Sequence, residues 1–164
     1  MSAVNVKGLT FSREFVSEVF AILFPMQSEF NPSAAANASK LSNKMKNGIL
    51  TLVYRHLIEL YFLFTFEEFA FCKPLNDETF REMLEEMKKD FKEDFDCAEF
   101  LYFCLVVSVY CVMAFERNCP NAKKHAARAI YDTLKYFEDI GQFTDETWVE
   151  LETCLQSIIA KLEK

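Results

Sequence analysis

Six cysteines and two histidines are the side chains in this sequence best equipped for metal or redox chemistry. A metal needs thiolates and imidazoles that converge, as in a CxxC knuckle or a cysteine and histidine one or two helical turns apart. The sequence contains no CxxC, and neither His56 nor His125 stands at ligand spacing from Cys72, Cys97, Cys104, Cys111, Cys119 or Cys154. No metal and no cofactor is expected. Cys97, Cys104 and Cys111 recur at intervals of seven within the most apolar stretch, the pattern of reduced, buried, small hydrophobes. The opening MSAVNVKGLTF lacks the continuous apolar core of a secretion signal, so a cytoplasmic setting is expected.

The remaining polar chemistry is sparse. His56 shares an apolar stripe with Leu52 and Leu60 and reads as a hydrogen-bonded core histidine rather than a general base. Lys123, Lys124, His125 and Arg128 form a small basic cluster, either a solvated helix face or a contact for an anion or lipid headgroup. Nothing assembles a Ser–His–acid, Cys–His or paired-carboxylate signature, and three scattered glycines cannot build a phosphate-cradling loop. The expectation is a protein that is not an enzyme. Its net charge of −7 opposes attraction to phosphate backbones, and its aromatics do not alternate with basic residues, so no nucleic-acid partner is expected.

These residues must be positioned by helices. With 18 Phe but only 3 Gly and 4 Pro, the chain lacks the turn residues a sheet protein of 164 residues requires. The composition predicts an all-α fold, a single domain over 1–164 with residues 1–10 as a flexible tail. From Phe100 to Phe115 no residue is charged, and a helix without a polar face must be enclosed. A central hydrophobic helix at about 96–117 is therefore expected, inside a compact bundle of six or seven helices. The uncharged run is shorter than the ~20 residues needed to span a bilayer, and acids flank it, so no stable transmembrane anchor is expected. Nor does the charged end IIAKLEK suit a tail anchor.

The periodicity predicts a first helix from Ser12 to about Phe24, closed by Pro25, then a connector over 26–32. A long helix follows from Ala34, capped by Ser33, to about Phe71, with a break near Thr65 and a close neighbour or a bend at Gly48. Asn76 or Asp77 caps a third helix running to about Phe91. A stripe of small residues, Ala122, Ala126 and Ala129, predicts a helix tight against the central one and ended by Gly141. Thr144 caps the last helix. Some Phe on the second and third helices exceed what one core can use. They either line a groove for an amphipathic partner helix or only enrich the core.

In this order the elements resemble the B-cell-lymphoma-two (Bcl-2) family of apoptosis regulators. TFREMLEEMKKDF resembles the helix before that family's central one, and FDCAEFLYFCLVVSVYCVMAFERN its first homology region and central helix. NAKKHAARAIYDTLKYFEDIG followed by TDETWVEL resembles the next helix and the second homology region, so the likeness spans about residues 77–155. The family's Asn-Trp-Gly-Arg run is occupied here by Asp96, Cys97, Ala98 and Glu99. Ala98 keeps a small residue, whereas Glu99 replaces the arginine that pairs with the ligand's aspartate. LSNKMKNGI carries the glycine of the family's death motif without its acid. Such departures suit a divergent, viral member. The resemblance implies a groove for the amphipathic helix of a pro-apoptotic partner, involving Leu52, His56, Met83, Met87, Phe91 and Phe95, with Glu99 at its rim. It also implies peripheral association with mitochondrial membranes as an alternative location.

SREFVSEVF, SNKMKNGILTLV and AKKHAARAIYDTLKYFED are similar to successive helices of the tumour-necrosis-factor-alpha-induced protein eight family of lipid carriers. That resemblance implies an apolar cavity, with Lys123, Lys124 and His125 meeting headgroups. A third reading is an interaction protein whose surplus apolar surface forms a homodimer interface.

Overall fold

The computed structural model describes residues 3–24, 41–91 and 94–162, and those residues form six α-helices and no strand. They are α1 (Ala3–Leu23), α2 (Asn43–Phe71), α3 (Asp77–Lys89), α4 (Cys97–Glu116), α5 (Ala122–Asp139) and α6 (Asp145–Leu162). The all-α bundle expected from composition is present. α4 is its axis: every residue from Phe100 to Ala114 is buried except Tyr102. Helices α1, α2, α5 and α6 all pack on α4, while α3 rests on α5.

The N-terminal expectation needs correction. Residues 3–10 are helix rather than tail, because α1 begins at Ala3, and Ser12 lies inside it. Ser12 caps nothing; its buried hydroxyl donates back to the Gly8 carbonyl at 2.7 Å. Gly8 faces Leu134 and Tyr131 of α5 at ordinary contact distance, which locks the first turns of α1 onto the bundle. Phe11, Phe15, Val16, Val19 and Phe20 supply the rest of the buried stripe. Pro25, the 26–32 connector, Ser33 and the start at Ala34 lie outside the described residues.

Helix α2 is capped by Ser42, whose Oγ accepts from the Met45 amide at 3.1 Å. It then runs unbroken to Phe71. The break expected near Thr65 is absent, since the Thr65 hydroxyl bonds the Tyr61 carbonyl at 2.9 Å within a continuous helix. The close neighbour expected at Gly48 is α6: a Cβ there would stand 2.7 Å from Leu155 Cγ. α3 opens on a capping box between Asn76 and Thr79 and ends at Lys89, two residues short of Phe91. The small-residue stripe on α5 is buried as expected, and α5 as a whole packs on α1 as well as on the central helix. Gly141, at φ +79°, follows α5 in a Schellman motif, with Gly141 N–H bonded to Glu138 O and Gln142 N–H to Phe137 O. Ahead of α6 the cap is reversed. The Thr147 hydroxyl accepts from the Thr144 amide at 2.9 Å.

Candidate functional site: an uncovered apolar face on α2

Helix α2 is long and apolar, yet only one side of it is covered. Met45, Ile49, Leu52, Val53, Leu60 and Phe64 turn into the core. On the opposite side Tyr54, Ile58, Phe62, Phe66 and Phe69, spaced by four, four, four and three, are 67%, 74%, 68%, 71% and 85% exposed. Tyr61 widens the stripe. Such spacing puts all of them on one helical face. Both α2 and α4 are long and apolar enough to cross a membrane. In α4 the apolar stretch is mostly buried in the bundle, whereas only 28% of the α2 stretch is. The apolarity of α4 is explained by the core; that of α2 is not.

Where α2 meets α4, Glu99, Tyr102, Val106 and Tyr110 share one side of α4; Glu99 and Tyr102 reach the surface, whereas Val106 and Tyr110 are buried. Tyr102 is half-exposed and meets the His56 ring edge-on, with centroids 5.6 Å apart. Tyr110 packs against Phe64 at 5.0 Å, and its hydroxyl donates to the Glu67 carboxylate. Burial raises the Glu67 carboxyl above its ordinary range, partly offset by that hydrogen bond, and nearby Asp90 raises it further. Burial and the approach of Glu59 likewise raise the Tyr102 phenol. The other flank of α2 is pinned by Arg117, which lies 5.1 Å above the Phe64 ring and 3.1 Å from Glu68 Oε2.

The structure separates the partner-binding residues expected from sequence. Leu52 and Met83 are core residues, 4% and 3% exposed. Met87, Phe91 and Phe95 are partly buried against the core. Phe91 packs on Phe103 at 4.9 Å, and Phe95 meets Phe100, Phe137 and Phe143 in an aromatic cluster that continues through Trp148 to Phe11. Much of the Phe surplus is thus spent at this end of the core. His56 and Glu99 do reach the surface: His56 faces Glu59 Oε2 at 3.4 Å, and Glu99 is exposed in the first turn of α4. The exposed stripe from Tyr54 to Phe69 is absent from the residues singled out by sequence. Its signal was the many-sided aromatic run LYFLFTFEEFAF, read there as a helix break.

The basic cluster is largely engaged within the chain. Lys123 Nζ sits 4.3 Å over the Phe20 ring, His125 Nε2 is 3.6 Å from Asp77 Oδ1, and Arg128 Nε donates to Asp132 Oδ1 at 3.0 Å. Lys124 is exposed. All six cysteines are free, and no group of three or more His, Cys, Asp or Glu among the described residues could hold a metal ion. Cys97 and Cys154 share an apolar-walled cleft of about 590 Å³ with Val149 of α6. No family model, curated protein or solved structure matches this chain.

Proposed function

We propose that this chain is a non-catalytic interaction protein that binds an amphipathic helix of a partner along the exposed side of α2. In line with the Bcl-2 resemblance, its biological role would be apoptosis regulation through a pro-apoptotic partner. One observation carries the reading: five large apolar side chains in helical register on α2, each two-thirds or more exposed. Burying each stabilises a complex by about 1.5–3 kcal/mol before the cost of association, enough for a specific helix-in-groove contact. A central uncharged helix enclosed by amphipathic ones also supports the reading.

Calorimetric titration with a panel of pro-apoptotic death-motif peptides tests it. Binding that is lost in a Phe62→Ala, Phe66→Ala variant supports the reading; uniform absence of binding removes the apoptotic role. The lipid-carrier alternative has less support, because three members of the 123–128 cluster already have partners within the chain. Native mass spectrometry showing a retained lipid would reinstate it.

A further inference from the structure

The exposed side of α2 is ordered as a seam. Arg55, Ile58, Phe62, Thr65 and Phe69 follow one another at intervals of three, four, three and four, and every one of them is exposed. That is the a and d spacing by which one helix packs along another. Tyr54, Glu59, Tyr61 and Phe66 occupy the flanking e and g positions and are exposed too. The core is served from the other side, through Leu60 at f and Phe64 at c. Tyr54, Ile58, Tyr61, Phe62, Phe66 and Phe69 together present on the order of 800 Å² of uncovered side chain. The largest apolar patch of a typical monomer is about 300–600 Å², whereas about 800 Å² per partner is what a stable interface takes. Among the exposed residues from Tyr54 to Phe69 the charged ones are Arg55 and Glu59, of opposite sign and one turn apart. The face therefore has no net charge with which to select a basic or an acidic helix. Nor does it have the lysine-rich margin that would hold it on a bilayer.

Resting on the reading that α2 is the docking face, we infer that in the free protein this face is covered by the α2 of a second copy. A second copy brings the same spacing, an equal apolar area and the same charge balance, so each surface meets its own match, as a two-fold interface requires. The pairing also regulates access. A partner helix reaches Phe62 and Phe66 only by displacing the second copy, so its apparent affinity falls as the chain becomes more concentrated.

Sedimentation equilibrium of the full chain tests this from about 1 to about 100 µM, in reductant so that the exposed Cys72 cannot link copies. The mass should climb from 19.1 kDa toward twice that value. Phe62→Glu should weaken the dimer at least about a hundredfold while thermal melting stays unchanged. A benzophenone side chain placed at Ile58 should cross-link to residues between Thr51 and Phe69 of the other copy. A chain that stays monomeric at about 100 µM overturns the inference but not helix docking. Peptide binding would then assign the face to a foreign helix, and flotation with phosphatidylcholine vesicles would assign it to lipid. A dimer untouched by Phe62→Glu, or cross-linked outside α2, also overturns the inference. So does a peptide that binds without splitting the dimer, because the two would then not share a face. A dimer that forms through α2 while every death-motif peptide fails to bind leaves this inference standing and removes the apoptotic reading.

Discussion

Two positions in the core show how single atoms set stability here. Ser108 sits at the middle of α4, fully buried, and its Oγ has no hydrogen-bond partner among the described residues. An unsatisfied buried hydroxyl costs about 1–3 kcal/mol, whereas an alanine there leaves nothing unpaired. Ser108→Ala is therefore expected to raise the free energy of unfolding by about 1 kcal/mol in urea denaturation. Gly48 is the opposite case. Alanine would improve helix propensity by about 1 kcal/mol, but its Cβ would lie 2.7 Å from Leu155 Cγ and 2.8 Å from Ile159 Cδ1. Leu155 is buried and meets the added Cβ at its branch carbon as well as at a methyl, so overpacking should win. Gly48→Ala is expected to lower stability by about 1–2 kcal/mol, separating α6 from α2; a rise in the urea midpoint would contradict the packing argument.

Among the elements, α2 is the one whose two sides have different tasks. Its inner side anchors to α4 and α6 through Ile49, Leu52, Leu60 and Phe64, and its outer side holds nothing. Substituting the outer side should leave the fold alone. Phe62→Glu with Phe66→Glu is expected to shift the melting temperature by no more than about 2–3 °C, because surface changes rarely exceed about 0.5 kcal/mol. The same variant should lose peptide binding and any self-association seen by light scattering. A large drop in melting temperature would mean that the stripe is part of the core after all. α4 responds in the reverse way, since Tyr102 alone among residues 100–114 can be changed without entering the core.

At the scale of the whole molecule the free thiols make stability fall in alkali. Burial raises the Cys97 and Cys119 thiols to about 11 and Cys111 to about 12, and lifts Cys104 well above its ordinary value. In the unfolded chain these groups ionise near pH 8.5. Between that pH and the folded values the native state holds more protons than the unfolded one, so stability is intact below about pH 8.5 and declines as pH rises through 11. The urea midpoint should therefore fall between pH 8 and pH 10.5, and less steeply in Cys111→Ala. An unchanged slope would show that this thiol is not shielded from solvent.

The all-α class, the enclosed run from Phe100 to Ala114, the cap at Asn76 or Asp77, the Gly141 cap and one of the two readings of Gly48, a close neighbour, were legible because each depends on local periodicity or on one residue's backbone freedom. The start of α1 was not, because Val6 to Phe11 acquires its helical state by packing Gly8 and Phe11 against α5 and the α4–α6 end of the bundle, contacts that no local pattern announces. The docking face was misplaced for a related reason. Phe62, Phe64, Phe66 and Phe69 are alike in type and lie within two turns, so composition alone could not say which would be buried. That choice belongs to the partners of α2: Tyr110 of α4 and Arg117 cover Phe64, while Phe62, Phe66 and Phe69 stay outside. Sequence by itself determined that this chain must enclose one helix and that it carries more aromatic surface than that task needs. Only the tertiary structure decided where the excess lies, because a helix is covered by its neighbours and not by its own residues.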